Sequence, residues 1–211
     1  MKRINLIILA LISYFTVSAQ EDAKTYLKEA QYYVKNKNWN EARIFIQQAI
    51  IEINSIIGEG ILKALPTEID GLKPFAIYGY TDGTGDILKN FDTGVRAYQT
   101  YKKEEGNDKD YITVTVSVSS TETADLEHSF YQSQFSKING KCISLPNGDR
   151  ALGQFYSDEL ANKHGILNIS FPLEGFYITI HGFGKQHKEE SLIKFASKLD
   201  FEALRKAIGE Q

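Results

Sequence analysis

The sequence has very little cysteine: among 211 residues there is one, Cys142. A single cysteine excludes an internal disulfide, so the fold has to be stabilised by its apolar core. An isolated cysteine is most often buried and behaves as a small apolar side chain. We therefore assign no chemistry to Cys142.

Local metal and catalytic motifs are also absent from the sequence. The four histidines are His128, His164, His181 and His187, and no two have the spacing of a zinc motif such as H-E-x-x-H. There is no G-x-S-x-G nucleophile elbow either. We accordingly predict no catalytic residue, no metal ligand and no cofactor.

Two short segments resemble catalytic or binding loops without completing them. Asp92-Thr93-Gly94 is the triplet of aspartic proteases, but those enzymes need two opposed aspartates and the chain has one copy. Asp82–Asp86 lacks the Lys-Ser/Thr of a phosphate loop and the later glutamate of a calcium loop. Both segments are interpreted as turns, and Asp92 is kept as the candidate acid of an alternative, hydrolytic function.

Long apolar runs are confined to the N-terminus. Leu6–Val17 is apolar, follows Lys2 and Arg3, and ends in Val17-Ser18-Ala19 with small residues at a cleavage site. This is the pattern of a secretory signal peptide. We expect cleavage after Ala19 and export to the periplasm or the exterior. The alternative, an uncleaved anchor, needs about 20 apolar residues.

The charge of the chain is mildly negative. The formal net charge is −3 at pH 7, and loss of Lys2 and Arg3 with the signal peptide takes it to −5. A chain without a basic run is a poor ligand for the phosphate backbone, so nucleic acid is excluded as a partner.

Helical periodicity follows the signal peptide. Two helices are predicted, from Ala23 to the break at Asn36-Lys37-Asn38 and from about Asn40, as N-cap, to Ile56. The aromatic and small residues of this segment fall at the spacings of one 34-residue tetratricopeptide repeat: Tyr26, Ala30, Tyr33, Trp39, Ala42 and Ala49. The segment thus resembles a single repeat of that family, and 20–57 is predicted to be a helical hairpin.

The hairpin is interpreted as two packed helices, because a peptide-binding groove normally needs several repeats. A binding surface for another protein is the alternative, with Tyr26, Tyr33 and Trp39 as candidate partner-binding residues. A lone repeat cannot bury its own apolar face, because such repeats are stabilised by stacking on their neighbours. The hairpin must therefore dock on its own domain or on a partner.

Residues 58–211 are predicted to form an α+β domain. A further helical turn is predicted at Ile61–Leu65, with its end at Pro66, and from there the pattern changes to short alternating segments typical of strands. The clearest is Asp110–Ser120, in which Ile112, Val114, Val116 and Val118 alternate with hydroxyl residues, so an interior strand with one buried face is predicted. Further strands are predicted at 75–81, 94–103, 141–145, 150–157, 165–171 and 176–183. Helices are predicted at 121–138 and 188–208, the second with Asp200 as an internal cap. The predicted class is α+β, a mainly antiparallel sheet flanked by helices.

This second segment resembles uncharacterised exported bacterial proteins with a PsbP- or Mog1-like fold. The matching features are Leu65-Pro66 with Gly71, the strand Ile112–Val118, the strand Phe176–Gly182 and the closing helix Leu199–Leu204. The resemblance implies an antiparallel sheet that serves as a binding or accessory module, and it implies no catalytic residue.

The polar faces of the predicted strands collect tyrosines and hydroxyls. Tyr98, Tyr177, Thr179 and His181 are the candidate ligand-binding residues, because tyrosine combines apolar area with a hydrogen-bonding tip. The preferred interpretation of this face is nevertheless cover by a helix, because layered folds usually bury the faces of their sheets, and ligand binding is the alternative. The functional hypothesis is an exported, non-enzymatic binding or accessory module that recognises an envelope protein or a small ligand. The alternatives are a hydrolase and a structural component of the envelope.

Overall fold

The molecule combines a helical hairpin with an antiparallel sheet, which confirms the predicted α+β class. The structure is a computed structural model, and it describes residues 21–75, 86–90, 94–103, 110–118, 141–143, 152–158, 164–171, 176–184 and 187–209. In this part of the chain, four helices accompany eight strands. None of these described helices is both long enough and apolar enough to cross a membrane.

The hairpin consists of α1, residues 21–35, and α2, Trp39–Ala64. Lys37 has a φ of 59° and turns the chain between them. The Asn38 side chain then accepts a hydrogen bond from the backbone N–H of Glu41 at 3.5 Å, which caps α2. The prediction of Asn40 as the N-cap was wrong, because Asn38 directly follows the left-handed residue and is already in reach of that N–H.

Small residues let the two helices of the hairpin approach closely. The buried seam between them is formed by alanines: Ala23, Ala30, Ala42 and Ala49. Beside it the rings of Tyr33 and Phe45 stack at 5.3 Å, and Tyr26 lies 6.3 Å from Phe45 on the same side. The tetratricopeptide-like residues therefore pack against each other within the hairpin.

Helix α2 is longer than the predicted 40–56. It continues through Gly58 and Gly60 to Ala64, so residues 57 and 58, where the sequence places the boundary between hairpin and domain, both lie inside one helix. A Cβ at Gly60 would lie 3.3 Å from the Cβ of Ala207 in the last helix. The glycine thus serves a close helix–helix approach, and this packing outweighs its low helix propensity.

The strands are β1 Lys73–Pro74, β2 Asp86–Asn90, β3 Gly94–Lys102, β4 Tyr111–Val118, β5 Lys141–Ile143, β6 Leu152–Asp158, β7 His164–Phe171 and β8 Phe176–Phe183. They form one antiparallel sheet in the order β1-β3-β4-β8-β7-β6-β5, and β2 also pairs with β3. β4 lies between β3 and β8, as predicted from its alternation. β2 was not predicted.

Several predictions lie outside the described residues. These are most of the strand at 75–81, the helix at 121–138, the signal peptide, and Asp92 with its turn. The predicted pairing of 141–145 with 150–157 and of 165–171 with 176–183 is confirmed in β5–β6 and β7–β8.

The core lies between one face of the sheet and the helices. β4 contributes Ile112, Val114 and Val116, and the helices contribute Ile61 of α2, Leu192 and Phe195 of α3 (Glu189–Ala196), and Phe201 and Leu204 of α4 (Phe201–Ala207). Asp200 caps α4 by accepting a hydrogen bond from the N–H of Ala203 at 2.9 Å, as predicted. The single predicted helix 188–208 is therefore two helices.

Tyr101 on β3 joins the sheet to the end of α2. Its side chain has no exposed surface, its hydroxyl donates to the carbonyl oxygen of Pro66 at 2.9 Å, and its ring packs edge-on against Phe195 at 5.5 Å. Burial raises the pKa of the Tyr101 hydroxyl, so the group remains a donor at all physiological pH values.

Replacing Tyr101 with phenylalanine removes this donor and leaves the ring in place. We expect the free energy of unfolding to fall by about 1 kcal/mol, the usual net value of such a hydrogen bond. The measurement is urea unfolding of the variant and of Tyr32→Phe, the control, whose ring is 60% exposed. Equal stability of Tyr101→Phe and the native chain would contradict the role of this bond.

Candidate functional site

The four predicted ligand-binding residues share the face of the sheet that is turned away from the core. Tyr98 of β3 and Thr179 of β8 both stand opposite Thr115 of β4, so these three side chains form one row across the sheet. Tyr177 and His181 lie one step to either side of Thr179 on β8. Side chains two positions apart on a strand point to the same face, so the structure brings all four residues together.

This polar face is neither open nor fully covered at the described positions. Arg96 at one edge is exposed, whereas Tyr98, Tyr177, Thr179 and His181 are each half-buried. Each of these side chains therefore keeps part of its surface accessible.

Two polar side chains in the middle of the face are buried without a partner. Asn168 of β7, opposite Thr179, is 6% exposed, and neither its amide nitrogen nor its amide oxygen has a hydrogen-bond partner. Ser117 of β4, opposite Tyr177, is 3% exposed, and its Oγ is equally without a partner. A buried polar group without a hydrogen bond costs about 1–3 kcal/mol. Within the described part of the polar face, these are the buried side-chain atoms that have no hydrogen-bond partner.

Aromatic side chains form one end of the polar face. The rings of Tyr111 and Phe183 stack with centroids 4.2 Å apart, and the His181 ring lies 4.8 Å from Phe183. Burial raises the pKa of Tyr111, so its hydroxyl is a neutral donor near neutral pH. Next to this end, the hydroxyls of Thr100 and Thr113 share a hydrogen bond of 3.1 Å.

Asn168 did not figure among the residues predicted from the sequence. The signal was a polar residue between apolar neighbours, as in Ile166-Leu167-Asn168-Ile169. Alternation alone assigns Asn168 to the polar face of β7, but its lack of a partner depends on neighbours from other strands.

The predicted partner-binding residues divide into two groups. Tyr26 and Tyr33 pack on Phe45 inside the hairpin and are half-buried, whereas Trp39 at the start of α2 is 65% exposed. Trp39 is the sole tryptophan of the chain. It is also the first member of an apolar stripe that continues along α2.

The exposed stripe has the spacing of a helix–helix seam. Trp39, Ile46 and Ile53 are each seven residues apart on α2, and Leu27 and Val34 are seven apart on α1. The last four of these side chains are 40–45% exposed. We call these five residues the hairpin face.

Both stripes of the hairpin face lie on the same side of the hairpin. On each helix, at about 100° per residue, they lie roughly an eighth of a turn from the buried alanines in the same rotational sense, and the two helices run in opposite directions. The same helical periodicity puts the basic residues Lys28, Lys35 and Arg43 on this side of the hairpin. It puts the acidic residues Asp22, Glu29, Glu41 and Glu52 on the other side.

Comparisons of the chain with family models, with curated proteins and with solved structures gave no match. The two resemblances named for the sequence therefore remain predictions. In the described part of the chain, no group of three or more His, Cys, Asp or Glu side chains is arranged to hold a metal ion.

Asn168 offers a test of the polar face that needs no ligand. Replacing it with valine removes two buried atoms that lack partners, so we expect the free energy of unfolding to rise by about 1–3 kcal/mol. The matched control is Asn54→Val in α2, because the buried Asn54 amide donates to the Gly94 carbonyl at 3.5 Å. That variant should lose stability in the same urea titration. A loss of stability in Asn168→Val as well would contradict the account of Asn168.

Proposed function

We propose that the mature chain is an exported, non-enzymatic binding protein whose hairpin face accepts an amphipathic helix of another envelope protein. The observation that carries the proposal is the exposure of five large apolar side chains at heptad spacing on one side of the hairpin. Contiguous apolar surface of this kind is rare on soluble monomers unless it binds something. The predicted signal peptide supplies the location, and the absence of a catalytic motif in the sequence supports a binding role.

The charges around the hairpin face favour one kind of partner. Lys28, Lys35 and Arg43 flank the apolar stripe, and each is exposed. A second copy docked face to face would bring like charges together, which disfavours a symmetric dimer. A partner helix with acidic residues beside its apolar stripe would meet opposite charges instead. The proposed occupant is therefore an acidic-flanked amphipathic helix from a different chain.

Trp39 makes this binding measurable without a label. We expect a synthetic helix with a leucine seam and glutamate flanks to shift the Trp39 emission to shorter wavelength, because the indole ring leaves water on binding. The same helix with lysine flanks should bind at least about tenfold more weakly, since each lost charge contact is replaced by repulsion. Equal binding of the two helices, or no shift with either, would contradict the proposal.

Variants locate the binding on the hairpin. The double variant Ile46→Ser, Ile53→Ser should weaken the glutamate-flanked helix by at least about tenfold, because burying the exposed 40–42% of each isoleucine contributes roughly 1 kcal/mol. The control is Ile44→Ser, whose side chain is 39% exposed on the other side of α2. An equal loss in the control, or concentration-dependent dimers of the native chain on light scattering, would show that the hairpin face serves another purpose.

A second candidate function is the binding of a small polar ligand on the polar face. The observation that favours it is the pair of buried side chains without partners, Asn168 and Ser117, beside Thr179 and Tyr177. In a thermal-shift screen of sugars and polyols, a true ligand should raise the melting temperature of the native chain and not that of Asn168→Val. A ligand that stabilises both chains equally binds elsewhere.

A further inference from the structure

A cavity of about 530 Å³ lies on the helix-covered side of the sheet. It is found where β3 ends and β4 begins, beside the segment that leaves β8. Leu72, Ile112 and Phe195 supply apolar wall, and Lys103, Asp110 and His187 supply polar groups. The volume is in the range of small-molecule sites, roughly 300–1,000 Å³. Since Ile112 points into the core, this cavity is separate from the polar face on the other side of the sheet.

Two glycines, one in β8 and one directly after it, make room for the polar groups of the cavity. A Cβ at Gly182 would overlap the Cβ of His187, and a Cβ at Gly184 would overlap Oδ1 of Asp110. Gly184 also has a φ of +109°, a conformation that side chains with a Cβ rarely adopt. The backbone of β8 therefore lies directly against the histidine and the carboxylate, and holds both at the wall of the cavity.

His187 has one buried ring nitrogen without a hydrogen-bond partner. It is 8% exposed, and its Nε2 is buried with no hydrogen bond. Burial lowers the pKa of the imidazole; the Asp110 carboxylate opposes that effect, and Lys103 adds to it. The ring is accordingly neutral near pH 7 and can both donate and accept a hydrogen bond.

Asp110 and Lys103 carry opposite charges at the cavity and do not form an ion pair with each other. Asp110 and Lys103 both act on His187, yet no ion pair joins either of them to a described residue. Asp70, on the same wall, is different: its carboxylate is bound by Lys194 at 3.2 Å and by Lys198, and these contacts hold its pKa below the usual value. Asp110 and Lys103 are the charged groups that remain available to a ligand.

We propose that this cavity binds a small zwitterion with apolar side chains, such as an apolar amino acid or dipeptide. The ligand ammonium group pairs with Asp110, its carboxylate pairs with Lys103, and its side chains pack on Ile112 and Phe195. A purely anionic ligand would leave Asp110 facing a negative charge, and a purely cationic one would do the same at Lys103. This inference does not depend on the hairpin face, so either proposal can fail alone.

Calorimetric titration of the full mature chain tests the ligand class. We expect L-leucyl-L-leucine to bind saturably, and its N-acetyl and C-amide derivatives to bind at least about tenfold more weakly, because each lacks one charge-assisted hydrogen bond. Free L-leucine in a parallel titration distinguishes an amino acid site from a dipeptide site. No saturable binding of leucine or dileucine, or equal binding of the blocked derivatives, would overturn the proposal.

Single substitutions then assign the two charges. Asp110→Asn should weaken dileucine at least about tenfold without weakening the N-acetyl derivative, while Lys103→Gln should weaken dileucine without weakening the C-amide. Lys103 is exposed, so its replacement does not disturb the fold even if that of Asp110 does. The controls are Asp22→Asn and Lys63→Gln on the helical hairpin. Equal losses for controls and cavity variants would overturn the assignment.

Discussion

The continuity of α2 is the constraint on which the rest of the molecule depends. Its C-terminal turns are part of the core: Ile61 has no exposed surface and Gly60 packs against Ala207 of α4. Its N-terminal turns carry the hairpin, where Ala42 and Ala49 hold α1. One helix of 26 residues, about 39 Å long, thus belongs to both parts. The hairpin is an arm of the domain and not a separate unit on a linker.

This arrangement explains why the apolar surface of the hairpin stays exposed. The domain occupies one side of α2 and α1 occupies another, so the stripe at Trp39, Ile46 and Ile53 has no neighbour within the described chain to cover it. A tetratricopeptide array would place the next helix in such a position, because each repeat buries its face on the following one. Here a partner helix would take that place, which connects the fold to the proposed function.

The sheet was largely predictable and its surroundings were not. Alternation from Ile112 to Val118 fixes the buried face of β4, because the side-chain period of a strand is two, and Asp200 is a helix cap that can be recognised locally. β2 escaped prediction because Asp86–Asn90 is short and lies between turn residues. The end of α2 was misjudged because the reason for Gly60 is Ala207, a residue far away in the sequence.

The candidate sites, too, were predictable from the sequence only in part. The sequence assigns Tyr98, Thr179 and His181 to polar faces, and the strand order then brings them together. The unpaired Asn168 and the cavity at Asp110 and His187 depend on contacts between distant segments, which no local pattern contains. The two glycines are an example: Gly182 and Gly184 look like strand-ending residues until the side chains packed on them are seen.

The most direct test of this account is the distance between two spin labels on α2. Labels at Asn40→Cys and Lys63→Cys, in a chain with Cys142 replaced by serine, are separated by 23 residues of continuous helix. An unbroken helix predicts one narrow distance distribution centred at about 35 Å. A broad distribution, or a markedly shorter distance, would mean that α2 breaks at Gly58 or Gly60. The hairpin would then not be a rigid arm of the domain.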